Sequence, residues 1–284
     1  MEITLGFSSC PNDTYTFDAL VHKKIDTKGI DFKVVIADVQ ELNRRAMIGD
    51  LQMTKLSYFA YANVYKTYQI LDAGSALGFA NGPLFICKKG NEKNINSRSK
   101  ILIPGRETTA NLLFSMAYPD YTNKTECLFS EIEPRILSGE YDAGVIIHEN
   151  RFTYAERGFA MLRDMGDFWE GETHTPIPLG AITIRRDVPD DLKKTIDQLL
   201  RQSIEYANAH PQASNSFIHE YAQAIEDDVL KKHIALFVND FSISLGRQGR
   251  TAIETLYRRA KSVGIISEEP KDIFVKNILE DTVA

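Results

Sequence analysis

The chain has 284 residues, room for about two domains at ~100–200 residues each. Its 43% hydrophobic and 25% charged residues exclude a disordered chain, and a net charge of −6 offers no basic surface for gripping nucleic acid. No stretch approaches the ~20 consecutive apolar residues of a membrane-spanning helix.

The N-terminus, MEITLGFSSCPND, has neither the basic nor the apolar region of a signal peptide. Cys10, Cys87 and Cys127 are scattered and odd in number, against a disulfide framework. Together these features predict a reduced, cytoplasmic setting. ITLGF (3–7) reads as a strand closed by a Ser/Pro/Asn/Asp turn, and TYTFDALVHKK as a helix. DFKVVIA (31–37) is the next strand. VQELNRRAMIGD follows, with Leu42, Ala46 and Met47 on one helical face before Gly49 stops it. LQMTKLS is a short strand entering a turn, YFAYANVYKTY a helix and YQILDAG a strand. Strand and helix in alternation imply βαβ crossovers and a mainly parallel sheet.

GSALGFANGPLFICKKG (74–90) interrupts the alternation with Gly74, Gly78, Gly82 and Pro83, then supplies the apolar strand PLFIC. The polar stretch KKGNEKNINSRSK (88–100) reads as a solvated loop and as the place where the chain crosses into a second domain. A further alternating unit follows: strand KILIPG (100–105), helix TTANLLFSMAY, strand ECLF, helix EIEPRILSGE and strand YDAGVIIHE. PLGAITIRRD (178–187) reads as a strand returning to the first unit. Beyond Pro189 the chain is mostly helical, with Leu192, Ile196, Leu199 and Leu200 forming an apolar stripe. The economical architecture is two α/β lobes. Residues 1–88 and 178–284 form the first lobe, discontinuous in sequence, and 89–177 the second, inserted lobe. Ligands of open α/β sheets sit outside the carboxyl ends of the strands, so both lobes are expected to direct loops into a cleft between them.

Four loops at strand ends carry the candidate chemistry. In SSCPND (8–13), Pro11 suits a helix start, and Asn12 or Asp13 can cap it. Cys10 in that loop has no paired base visible in sequence. In TKLS (54–57), Ser57 fits a helix cap and Lys55 can neutralise an anion. In PGRETTA (104–110), Thr108 and Thr109 introduce a helix. Its first amides can hold a carboxylate or phosphate, with the threonine hydroxyls as added donors or as plain caps. No GK[ST] follows, so a nucleotide loop is unsupported. The fourth loop, AGVIIHENRFTY (143–154), delivers His148 at the end of an apolar strand. Phe152 stands where a zincin has its second histidine, and the other histidines form no ligand spacing. His148 therefore reads as a structural histidine or a general base, with an unperturbed pKa of ~6.5 suited to proton transfer.

The segments GFSSCPNDTYTFDALV, DVQELNRRAMIGDLQMTKLSYFAYANV, GSALGFANGPL, PGRETTANLL, GVIIHENRFTY, PLGAI and VNDFSISLG occur in the order found in another group of enzymes. Through them the chain resembles the 1,4-dihydroxy-6-naphthoate synthase family of the futalosine route to menaquinone. The resemblance implies a fold like that of type 2 periplasmic binding proteins. The implied reaction converts cyclic dehypoxanthine futalosine, a small-molecule carboxylate, to 1,4-dihydroxy-6-naphthoate and dihydroxyacetone, with no metal or organic cofactor. It also implies that His148 is the proton acceptor. Lys55, Leu56 and Ser57, and Thr109 with Ala110, would bind substrate, and Asn43 and Asp13 would extend the cleft wall. Chorismate dehydratase of the same pathway and a solute-binding protein without catalysis are the alternative expectations.

Overall fold

The computed structural model describes residues 1–147, 150–222 and 226–276. The first lobe opens with β1 (Glu2–Phe7), α1 (Pro11–Val21), β2 (Asp31–Ile36), α2 (Val39–Met47), β3 (Met53–Ser57), α3 (Tyr58–Val64), β4 (Tyr68–Ile70) and β5 (Ala76–Gly78). The second lobe contains β6 (Leu84–Lys88), β7 (Ile101–Ile103), α4 (Thr109–Ala117), β8 (Lys124–Glu126), α5 (Phe129–Leu137), β9 (Ala143–Ile146), α6 (Asn150–Thr153), β10 (Phe159–Asp164) and α7 (Met165–Thr173). The chain then returns through β11 (Ile177–Arg185) to α8 (Asp190–Ala209), α9 (Asn215–Tyr221), α10 (Asp227–Phe237), α11 (Asp240–Ile243) and α12 (Gly246–Ser262).

Strand pairing separates the lobes. One sheet runs β2-β1-β3-β11-β4, with β5 also paired to β11; the other runs β10-β6-β9-β7-β8. β1 is parallel to β2 and β3, and β7 is parallel to β8 and β9. The returning strand β11 is antiparallel to β3, β4 and β5. These pairings correct the expected lobe boundary at residue 88. β6 bonds to β9 and β10, so the chain crosses at 79–83, before PLFIC, and the polar stretch after Lys88 is a loop of the second lobe. The physical reason is in β6 itself. Phe85 and Cys87 pack on one face of the second sheet, and Leu84 and Ile86 on the other. Such a two-sided apolar strand needs the sheet's interior. ECLF also differs: the strand begins two residues earlier and ends at Glu126, where Lys124–Glu126 align with Ile101–Ile103.

Alternation along the strands builds three layers of core. Ile3, Leu5 and Phe7 of β1 pack with Phe17, Leu199, Leu200 and Ile204 on one face of the first sheet. Leu102, Ile132, Ile136 and Ile146 fill the outer face of the second. Between the sheets lies one cluster that contains Leu56, Tyr58 and Tyr61 from the first lobe, Ile101, Phe114, Val145 and Trp169 from the second, and Leu256 and Tyr257 of α12. The lobes are therefore fused along one side and open into a cleft where the parallel strands end.

Candidate functional site

The carboxyl ends of β1 and β3 in the first lobe, and of β7 and β9 in the second, converge on one cavity. Ser8, Asn12, Val39, Lys55 and Ser57 line it from the first lobe; Thr108, Thr109, Ala110, Ile147 and Arg151 line it from the second. Its empty space, the open mouth included, is about 720 Å³.

The loop after β1 does not cap α1 as expected. Cys10 occupies the cap position, but its side chain does not cap the helix, and Pro11 begins it. Asp13 instead accepts from the Ser8 hydroxyl at 2.5 Å, the Ser8 backbone N–H at 3.1 Å and Asn12 Nδ2 at 2.9 Å. Its remaining partner is Lys55, whose ammonium forms an ion pair with Oδ1. Asp13 is 3% exposed and stands behind the cavity wall. Lys55 reaches the cavity, but with its charge largely matched by Asp13. Strand alternation sends Leu56 the other way: its side chain lies in the interlobe core, leaving only the backbone at this position near the cleft.

Ser57 precedes α3 without capping it. Asn43, fully buried on α2, holds Ser57 at two points. The Ser57 amide donates to Asn43 Oδ1 at 3.0 Å, and Asn43 Nδ2 donates to Ser57 Oγ at 3.2 Å. Among the described residues the serine's own O–H has no acceptor, and Ser57 lines the cavity. Asn43 thus positions a cleft residue rather than lining the cleft.

At the start of α4, Thr108 is the cap. Its hydroxyl accepts from the Asn111 amide at 3.3 Å and donates to Gly105 O at 2.7 Å. The Thr109 hydroxyl donates across the lobes to Leu179 O at 2.8 Å. Both hydroxyl protons are committed inside the protein, so the anion-binding capacity of this corner rests on the backbone N–H groups of Thr109 and Ala110. Those amides are the helix's first-turn donors, and both residues line the cavity. Lys124 sits behind the same turn, 3.0 Å from Asn111 Oδ1 and 2.6 Å from Ser115 Oγ. Burial, then the nearby Arg106 charge, lower its pKa.

His148 lies outside the described residues. Its chain neighbours Ile147 and Arg151 both line the cavity. Arg151 donates to Gly82 O and to Asp164 Oδ2 at 3.0 Å, binding α6 to the crossing segment and the end of β10.

Sequence reasoning missed several residues that line the cavity, among them Asn81, Arg151 and His233. Asn81 is in the quoted GSALGFANGPL segment, where its glycine and proline neighbours were the available signal. Arg151 is in HENRFTY. His233 comes from α10, is 1% exposed and sits 2.9 Å through Nε2 from Asn12 Oδ1. No local pattern marks it, because α10 reaches the cleft only by packing beside α1. Among the described residues no group of three or more His, Cys, Asp or Glu side chains could hold a metal ion, and no helix is long and apolar enough to cross a membrane.

Comparison with known proteins agrees with this geometry. A family model described as menaquinone biosynthesis matches residues 3–262. A 1,4-dihydroxy-6-naphthoate synthase of Thermus thermophilus is 40% identical over 273 residues, covering 96% of this chain and 99% of the relative. One from Streptomyces coelicolor is 36% identical over 270 residues, covering 93% and 94%. A crystal structure of an Archaeoglobus fulgidus protein superposes with a TM-score of 0.87 at 31% identity, covering 93% of this chain and 98% of that one. The ligand-binding component of a Staphylococcus aureus ABC-type import system superposes with a TM-score of 0.70 at 14% identity, covering 100% and 99%. The latter likeness establishes a periplasmic-binding-protein-like fold, and with it the match over residues 3–262 places the chain in the menaquinone biosynthesis family.

Proposed function

We propose that the chain is a carbon–carbon lyase of the cytoplasm that converts cyclic dehypoxanthine futalosine to 1,4-dihydroxy-6-naphthoate and dihydroxyacetone. The observation that carries this reading is the near full-length kinship with two synthases of that name, together with a cavity whose walls suit the substrate. The substrate has an aryl carboxylate at one end and a ketone fused to a former ribose ring at the other. The amides opening α4 offer partial positive charge for the carboxylate. Ser57, held by Asn43, offers a hydroxyl beside them.

His148 is the proposed base. It removes a proton beside the ketone, and the enolate formed expels the ring oxygen. Further bond cleavage releases the three-carbon fragment and leaves an aromatic ring, whose formation supplies the driving force. The imidazole then returns the proton. General acid–base assistance of this kind contributes ~10²–10⁴-fold in rate. This chemistry calls for no metal or organic cofactor. What supports His148 is its motif, the imidazole's suitability for the proton transfer, and cavity-lining neighbours on both sides in sequence.

Purified protein incubated with cyclic dehypoxanthine futalosine should produce the naphthoate chromophore, and His148→Asn should lower kcat by ~10²-fold or more while leaving substrate binding within a few-fold. Turnover of chorismate instead would assign a dehydratase, and binding without turnover of either would assign a solute-binding protein. A His148→Asn variant with near-native kcat would return the histidine to a structural role and require another base.

A further inference from the structure

We propose that Asn81 is a substrate-recognition residue, whose side-chain amide grips the neutral, hydroxyl-bearing, sugar-derived part of the substrate. Asn81 is in the segment 79–83 that carries the chain between the lobes. It is 1% exposed and lines the cavity. Neither its Nδ2 nor its Oδ1 has a hydrogen-bonding partner among the described residues. A buried amide in that condition is unfavourable for folding, and the other asparagines around the cleft avoid it. Asn12 bonds to Asp13 and His233, Asn43 bonds twice to Ser57, and Asn239 bonds to Leu77 O and the Phe241 amide. Asn81 alone in this set keeps both a donor and an acceptor for something else.

Its backbone is fixed on both sides. The Ala80 amide donates to Glu170 Oε1 at 2.7 Å, and the Met165 amide donates to Pro83 O at 2.9 Å. Gly82 packs so closely on Gly166 that a Cβ there would stand 2.1 Å from the Gly166 nitrogen. A Cβ on Gly78 would come within 2.8 Å of Asn81 Nδ2, so the glycine leaves the amide its space. A backbone held in place before the ligand arrives leaves less freedom to be lost on binding it.

The class of group follows from charge and symmetry of function. An amide is neutral and cannot balance a carboxylate, a task the α4 amides already suit. It presents one donor group beside one acceptor, the complement of a hydroxyl or of adjacent hydroxyl and carbonyl oxygens. On the substrate such groups belong to the former ribose. A site built to hydrogen-bond a hydroxyl also discriminates strongly against ligands that lack it.

This inference rests on the cleft being the synthase's active site, so wild-type turnover of cyclic dehypoxanthine futalosine is measured first; its absence sinks that reading and this one with it. Given turnover, Asn81→Leu, nearly the same size without the polar atoms, should lower kcat/KM by ~10-fold or more. Its melting temperature should equal or exceed the wild type's, because no internal bond is broken. The dissociation constant for 2-naphthoate, which keeps an aryl carboxylate and lacks hydroxyls, should change less than ~3-fold. Unchanged kcat/KM overturns the proposal while leaving the function intact. A melting temperature lowered in both Asn81→Leu and Asn81→Ser, or equal weakening of naphthoate and substrate, also overturns it, by showing a structural role.

Discussion

Lys55 and Asp13 show how a charge can stand at a cleft without being free to act there. Their side chains are 10% and 5% exposed, and the carboxylate is further held by Ser8 and Asn12. Removing one member of such a pair leaves the other buried and uncompensated, a loss of ~3–5 kcal/mol, whereas removing both is much milder. Lys55→Met should therefore lower the free energy of unfolding in urea by ~3 kcal/mol, and Asp13→Asn combined with it should recover most of that loss. A single variant within ~0.5 kcal/mol of wild type would show that solvent reaches and screens the pair. The same network explains why residue type alone misread this corner. Lysine, aspartate and asparagine near strand ends each have several common roles, and only the contact from β3 to α1 selects among them.

The elements that carry the site are helix starts and one short crossing, and their geometry depends on glycine where two backbones meet. At Gly82 the obstacle facing an added Cβ is the Gly166 backbone, at 2.1 Å from its nitrogen and 2.6 Å from its Cα, which cannot rotate away as a side chain would. Gly82→Ala should destabilise by ~2–3 kcal/mol and, by shifting the segment that bears Asn81, raise KM. Gly171→Ala, in the same helix as Gly166 but with nothing within 4 Å of its Cβ position, is the control. It should be neutral or stabilising by up to ~1 kcal/mol. Equal losses at both positions in chemical denaturation would remove the close approach as the cause. Much of this scale was legible beforehand. The alternating strands and helices, the start of α4 and the return strand β11 follow from apolar periodicity and from Thr, Gly and Pro at the boundaries. The lobe boundary was not, since a polar loop looks the same within a lobe as between lobes.

Across the whole molecule, one hydrophobic cluster runs from the first sheet through α3, α4 and α7 to α12. It makes the lobes a single cooperative unit on that side. On the cleft side they meet through polar contacts: Gln40 with Glu107, and Arg44 with Glu126 at 3.1 Å. Movement about the fused side would break these polar contacts, the first part-buried and the second exposed, before it disturbed the core. The single tryptophan, Trp169, is 1% exposed in the second lobe and donates to Pro176 O at 3.0 Å. Its fluorescence should therefore report the same melting midpoint as far-ultraviolet circular dichroism of the entire chain. Two separated midpoints would mean that the shared cluster does not couple the lobes.

The amino-acid sequence by itself determined the α/β class, the two-lobed plan, the four loops and, through its motifs, the family. These are properties of local periodicity, turn chemistry and ordered segments, and all can be read along one chain. Tertiary structure alone decided that Lys55 is tied to Asp13, that Leu56 turns into the core and that Asn43 supports Ser57. It also decided that β6 belongs to the second sheet, and that Asn81 and His233 enter the cavity. Each of these depends on what lies opposite a side chain across tens or hundreds of residues, and packing rather than local preference sets that neighbour.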